Sequence, residues 1–388
     1  MSSIKNIASL FLLTLFIISC HNKPSKFADI PVKKVYSVPY DTLTDDLAAF
    51  FSGLGHGKSG CLARLDTTTT WKKFSYSLDS GFTDLDTARF SKMRIWADSE
   101  LIDRKGSTTL FYPFGGPDFL NANIFYPNAD KYILIGLEPV GLMPDLCNVP
   151  AVQVNKYLED VRYSLKDIFK RSYFITGNMI DALKKNSVNG SVPVISLFLK
   201  RNKYHIVALN YIGIDSTGNW QPVDSLKNKK GVTHGVKIDF AADTGRRVQS
   251  VFYFQTDLSD AGLKKNPGFE KYLSLLPESY TYLKAASYLM HSNASGSPND
   301  FSVIRNIIFE KSRTILQDDS GIAYRFFNKN SWNIHLYGKY IRPGKEFSWI
   351  NETDLAKAYT DPSIKPVPFT LGYNWRTQAI NLLYAVRK

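Results

Sequence analysis

From Thr108 to Glu138 the chain reads as strand, turn, short helix and second strand, and this stretch limits the fold more than any other. Thr108–Phe114 is dominated by β-branched and aromatic residues, and Gly115-Gly116-Pro117 breaks it. Asp118 is placed to cap a helix running to Tyr126, and Pro127-Asn128-Ala129-Asp130 turns the chain before Lys131–Glu138. Within that second strand, Tyr132-Ile133-Leu134-Ile135 shows no polar alternation. A strand apolar on both sides belongs in a sheet covered on both faces, and strands joined by a helical crossover run parallel.

The flanking segments supply both helices and hairpins. Asp45–Phe51 reads as a helix capped by Thr44 and stopped by Gly53. Val154, Leu158, Val161, Leu165, Ile168 and Phe169 share one helical stripe, and Pro193 in a first turn favours a helix to Arg201. Tyr204–Ile214 is expected as a strand, and Gly235–Phe240 with Val248–Gln255 as a hairpin around Asp243-Thr244-Gly245. Further helices are expected at Phe269–Leu276, Tyr280–Met290 and Asp300–Gln317. A second hairpin would join Ile322–Phe327 to Trp332–Ile341, Val367–Tyr373 would be a strand, and Ile380–Val386 fits either state. Breaks fall at Asp215–Gly231 and His291–Asn299, and no internal repeat is visible. The expected class is therefore α/β, a mixed sheet with a Rossmann-like βαβ start and later antiparallel hairpins, with α+β as the alternative. Residues 41–257 form its α/β region, and 258–388 a helical and hairpin region packed on the same sheet.

The outline of Phe111–Glu138 loosely resembles a methyltransferase-type Rossmann unit, in which glycines let a ligand approach the backbone and an acid after the second strand holds a ribose. Gly-x-Gly is missing, so no cofactor is expected. Other motifs fail on inspection. Ser52-Gly53-Leu54-Gly55-His56-Gly57-Lys58-Ser59 has serine where a phosphate-binding loop needs its first glycine, and a helix precedes it rather than a strand. Gly57-Lys58-Ser59-Gly60-Cys61 breaks the hydrolase elbow at its last position. The only Ser-x-x-Lys is Ser2 to Lys5, His-Glu-x-x-His is absent, and the six histidines are dispersed, so no metal is expected. His205 reads as a satisfied core histidine.

The N-terminus carries Lys5, an apolar run from Ile7 to Ile18, and Ile17-Ile18-Ser19-Cys20. The run is shorter than the roughly 20 residues a spanning helix needs. Its end looks like a lipobox, implying a signal at 1–19 removed before a lipidated Cys20, then a tether over 20–40. His21 follows the cysteine rather than an aspartate, which favours the outer membrane, with the folded part facing the periplasm. Removing 1–19 takes away one lysine and no acid, leaving a net charge of +12. That excess suits an anionic glycan or lipid phosphate, while an exported location argues against nucleic acid. Once Cys20 is lipidated only Cys61 and Cys147 remain, a disulfide candidate in an oxidising compartment, with two separately buried thiols as the alternative.

Tyr112-Pro113-Phe114-Gly115-Gly116-Pro117-Asp118-Phe119, Gly136-Leu137-Glu138-Pro139-Val140-Gly141 and Gln317-Asp318-Asp319-Ser320-Gly321-Ile322 together resemble an uncharacterised family of bacterial envelope lipoproteins. That likeness supports export and lends no catalytic residue. The sequence thus points to a non-enzymatic binding or envelope-maintenance module. The alternative is an envelope hydrolase acting on glycan or lipid-phosphate substrates through Asp118, Glu138, Asp318 and Asp319. The last two would sit in the final turn of a helix from Asp300, facing the wrong end of its dipole, with Arg325 or the turn at Ser320–Ile322 compensating.

Overall fold

The computed structural model describes residues 38–55, 60–101, 109–174, 190–224, 231–242, 247–292, 300–343, 345–376 and 379–388. The expected signal, Cys20 and most of the tether lie outside these residues, as do His56–Ser59, Thr108, the turn at Asp243–Gly245 and most of the break His291–Asn299.

The chain is α/β. Ten strands form one mixed sheet: β1 (Thr109–Tyr112), β2 (Lys131–Gly136), β3 (Tyr204–Ile214), β4 (Trp220–Pro222), β5 (Thr233–Ala242), β6 (Gln249–Gln255), β7 (Ser279–Leu283), β8 (Ser312–Gln317), β9 (Trp332–Gly338) and β10 (Asn381–Arg387). Their order is β4-β3-β5-β6-β2-β1-β7-β8-β10-β9. The five central strands β6-β2-β1-β7-β8 run parallel. Antiparallel pairs extend the sheet on both sides, β3 with β5 and β5 with β6 on one, β10 with β8 and β9 on the other.

The uninterrupted apolar runs now have a cause. Along β2, Tyr132 and Leu134 enter one core while Ile133 and Ile135 enter another on the opposite face. The first core is roofed by α1 (Thr42–Phe51), α3 (Thr69–Leu85), α4 (Ser91–Glu100), α5 (Phe119–Phe125), α6 (Ala151–Arg171) and α7 (Ser191–Arg201), with the short α2 (Gly60–Leu65) beside it. The second is covered by α8 (Asp260–Lys265), α9 (Pro267–Ser274) and α10 (Ser302–Lys311). A further short helix, α11, spans Thr353–Ala358. Cys61 of α2 and Cys147 are joined as a disulfide, with Cα atoms 5.6 Å apart.

Several expectations are corrected. Tyr280–Met290 is not a helix but contains β7, whose five residues are all buried. The segment Asp300–Gln317 divides: α10 ends at Lys311, Ser312 turns to ψ 130°, and the β-branched Thr314 and Ile315 continue as β8. Ile322–Phe327 holds a 3-10 turn instead of a strand, so the partner of β9 is β10. Val367–Tyr373 forms no strand. Asp41, not Thr44, caps α1; its carboxylate accepts from the Thr44 backbone and hydroxyl at 3.1 and 2.6 Å. The helices between Gly60 and Glu100 were not anticipated.

Candidate functional site

The connection from β1 through α5 to β2 leaves on one side of β1, while β7 lies on the other. Loops leaving β1 and β7 therefore diverge at the carboxyl ends of the strands, where open α/β sheets form a crevice. A cavity of about 130 Å³ lies there. It is open to solvent on one side, so a ligand seated there can extend out of it.

Its floor is the β1–α5 loop. Pro113 has no amide to continue the ladder, and Phe114 turns left-handed with φ 65°, followed by Gly116 at φ 55°. The Gly116 amide donates to the Ile135 carbonyl at 3.0 Å, tying the loop to β2. Glu138, just beyond β2, is 2 % exposed and lays its carboxylate over this glycine surface. A Cβ on Gly116 would stand 3.1 Å from Glu138 Oε2, and one on Gly136 would collide with it. Tyr253 Oη donates to the Glu138 carbonyl at 2.7 Å and fixes the approach.

Asp118 closes the loop. Its carboxylate caps α5 by accepting from the Asn121 amide at 3.1 Å, and accepts from Asn121 Nδ2 at 3.0 Å and Tyr112 Oη at 3.1 Å. Lys284, at the end of β7, donates to the same carboxylate and to the Ser172 carbonyl. The lysine side chain is 1 % exposed and the aspartate 2 %, so this ion pair is removed from water. Burial pulls the Lys284 ammonium below its ordinary range, against the attraction of Asp118. The Tyr112 hydroxyl is pushed far above its ordinary range by burial, with the Asp118 charge adding to it.

Backbone strain gathers here. Among the described residues, six non-glycine residues have positive φ; Phe114, Ala285 and Ser287 line this crevice, and Tyr288 directly follows Ser287. A fifth, Ser172, ends α6 in the usual left-handed manner. The other four have no helix end to explain them, and each such residue costs about 1–3 kcal/mol, which the surroundings must hold in place.

Asp318 does part of that holding. It follows strand β8, so the helix-dipole argument does not apply. It accepts from the Ala285 amide at 2.9 Å, from the Ser320 amide at 3.0 Å and from the Ser320 hydroxyl, capping the expected turn. The oxygen that takes the Ala285 amide, Oδ2, also rests against Gly372, φ 64°, where any Cβ would clash with it. Asp319 accepts from Tyr288 Oη at 2.6 Å and Asn381 Nδ2 at 3.1 Å. Burial raises both carboxyls, and Asp318 raises Asp319 further. Arg325 is not their hydrogen-bond partner, since it donates to the His291 carbonyl.

Asp118 and Glu138 thus share the crevice, while Asp318 supports it from behind and Asp319 is further back. Lys284, Tyr112 and Ser287 were missed, Lys284 because its segment read as a helix. A lysine directly after the strand-like run Ser279–Leu283, with Asp118 needing a counter-charge, was the available signal. His205 is satisfied as expected, its Nδ1 2.8 Å from Asp45 beside Lys200, but it is half-buried at 31 % side-chain exposure rather than part of the core.

Asp118 and Lys284 pair with each other, and Glu138 and the rim residue Asp257 are the other carboxylates of the lining. A pyrophosphate does not fit this arrangement. The backbone surface it would need is covered by Glu138, and Phe114 stands where the loop pattern places its first glycine. Among the described residues no group of three His, Cys, Asp or Glu is placed to hold a metal ion. No known family model matches the chain, and no curated protein matches it.

Proposed function

We propose that this chain is an envelope lipoprotein, held through a lipidated Cys20 in the outer membrane and facing the periplasm. Its folded part works as a non-enzymatic binding module for a small, hydroxyl-bearing, phosphate-free ligand in the crevice between β1 and β7. The carrying observation is Glu138, a buried carboxylate clamped over Gly116 and Gly136, which offers acceptors to hydroxyl donors and occupies the backbone surface a phosphate would need. Outside the crevice, the basic excess draws the folded part toward anionic glycans or lipid phosphates of the envelope. The hydrolase alternative loses support from geometry. The Asp118 oxygens are occupied by donors, and Asp318 faces backbone amides, so Glu138 alone would have to supply acid and base.

A second reading has one observation in its favour. Parallel β6-β2-β1-β7-β8 continued by reversed β10 and then β9 is the strand order of methyltransferase-type Rossmann folds, whose donor is a phosphate-free nucleoside. Fold alone assigns no chemistry. Calorimetric titration of the purified protein with N-acetylglucosamine, adenosine, S-adenosylmethionine and glucose 6-phosphate separates these readings. Binding of the neutral sugar with rejection of its phosphorylated counterpart supports the first. Binding of S-adenosylmethionine at least tenfold tighter than adenosine favours the second, and binding of glucose 6-phosphate alone defeats both. For the anchor, Cys20→Ala is expected to abolish palmitate labelling.

A further inference from the structure

We propose that the loop leaving β9 docks on an anionic bilayer, with Ile341, Phe347 and Trp349 at headgroup depth and Lys339, Arg342 and Lys345 on the lipid phosphates. The inference rests on the envelope-lipoprotein reading and names the surface that lies against the membrane. It concerns a part of the molecule outside the crevice.

The fold presents this loop from a packed base. β9 is antiparallel to β10 and β10 to β8, so β9 ends at the same edge of the sheet as the parallel strands that form the crevice. The Tyr340 hydroxyl is pushed up by burial and by the Glu352 carboxylate near it, so the chain returns close to where it left. Between those points a 3-10 turn at Lys345–Phe347 sets Phe347 as a wedge, its ring centroid 4.9 Å from those of Tyr288 and Tyr373. Tyr373 in turn meets Tyr173, which lines the crevice, at 4.9 Å. Trp349 stands outside this stack, 5.5 Å from Phe347.

Exposure and charge choose the partner. Trp349 is 72 % exposed and Ile341 57 %. One exposed apolar residue means little, but a tryptophan, a phenylalanine and an isoleucine on one loop make a patch. Lys339, Arg342 and Lys345 are exposed around them, and Glu346 is the single acid from Lys339 to Trp349. Just past Tyr373, exposed Arg376 lies over the Trp375 ring and adds a fourth cation. None of the four is in an ion pair with another described residue. Aromatic rings among lysines and arginines are the composition of the bilayer interface, where the ring sits at the headgroups and the cations meet phosphate. A stable protein complex needs about 800 Å² from each partner, which three apolar side chains on one loop do not by themselves supply. Reach is no obstacle: about 18 residues separate Cys20 from the start of the described chain and can span up to ~60 Å, against ~45 Å for ten strands side by side.

Quenching of tryptophan fluorescence by lipids brominated near the top of their acyl chains tests the idea. The mature, acylated chain is reconstituted into phosphatidylcholine vesicles with and without phosphatidylglycerol. Quenching is expected in the anionic vesicles and should fall by more than half in Trp349→Phe. Trp220, 41 % exposed on β4 at the opposite end of the sheet, is the control, and Trp220→Phe should keep the quenching. Arg342→Gln and Lys345→Gln should each lower the docked-to-undocked ratio about fivefold, the worth of one cation at an anionic surface. Added salt should weaken docking of the parent in the same direction. All four positions are exposed, so melting temperatures within a few degrees of the parent are expected; if Trp349→Phe fails to fold, the two charge variants decide. Full quenching in Trp349→Phe, or equal quenching in both kinds of vesicle, overturns the proposal. So does a Trp349 emission shift that grows with protein concentration without vesicles, which assigns the loop to a second copy of the chain. Palmitate labelling reads the anchor separately: label without quenching overturns the loop and leaves the anchor standing, and no label overturns the anchor and this inference with it.

Discussion

Replacing Lys284 with methionine tests whether the crevice is built around a buried ion pair. The ammonium donates to Asp118 and to the Ser172 carbonyl, with side chains 1 % and 2 % exposed at the pair. Methionine keeps most of the volume and removes the charge, stranding an aspartate out of water. Breaking a buried pair from one side typically costs about 3–5 kcal/mol. Against a total stability of about 5–15 kcal/mol, that is a large fraction of the fold. Asp118→Asn is expected to cost less. It keeps a cap on α5, and the stranded Lys284 can shed its proton, because burial already lowers its pKa. The native state of that variant binds fewer protons than the unfolded chain below pH 10.5, so its stability should rise with pH. The double variant removes both charges and should cost about 1–2 kcal/mol, well under the sum of the singles. Urea unfolding of the four proteins at pH 7, compared at constant slope, gives these numbers directly. A Lys284→Met cost below about 1 kcal/mol, or additivity in the double variant, would refute the ion-pair account.

Three other outcomes follow from single features. Removing the Cys61–Cys147 link, which spans 86 residues, should cost roughly 4 kcal/mol in the chain-entropy model, read as a drop in urea midpoint on replacing both by serine; an unchanged midpoint contradicts it. Burial, with Asp319 adding, pushes Glu352 up to about 8, and burial, with Arg325 adding, pulls His291 down to about 4. Raised Glu352 makes stability fall as pH climbs from about 4.5 to 8, lowered His291 makes it fall as pH drops from about 6.5 to 4, and the two offset where the windows overlap. Melting temperature should therefore decline between pH 6.5 and 8 by the equivalent of about 2 kcal/mol and stop declining in Glu352→Gln; the same decline in that variant would assign it elsewhere. Asp318→Asn should lower the midpoint by about 2 kcal/mol and loosen amide exchange at Ala285, since the carboxylate holds three donors. Native exchange at Ala285 in that variant would remove Asp318 from the support of the crevice.

The β1–α5–β2 unit could be read in the sequence because its signals agree: an apolar run, two glycines and a proline, an aspartate at the cap, then a second apolar run. Asp118 and Glu138 came with it, since cap and strand end are positions that sequence marks. Ser279–Leu283 was not read the same way, although Ser-Tyr-Thr-Tyr-Leu alternates small polar with large residues and suits a strand; it runs on into Lys284–Met290 with no glycine or proline to mark its end. Lys284 was lost with it. The change from α10 to β8 at Ser312 has no glycine or proline to announce it. Trp71, Phe74, Leu78 and Leu85 of α3, by contrast, carry a visible helical stripe that deserved reading.

The central claim is that Glu138 makes the crevice a site for neutral hydroxyl-bearing ligands. Thermal unfolding of the parent and of Glu138→Gln, with and without saturating N-acetylglucosamine and glucose 6-phosphate, tests it most directly. At a hundredfold excess over its dissociation constant a ligand stabilises the native state by about 2.7 kcal/mol. The account predicts that shift for the neutral sugar with the parent, none for the phosphate, and loss of the sugar shift in Glu138→Gln. A sugar shift that survives unchanged in Glu138→Gln, or a larger shift from the phosphate, would contradict it.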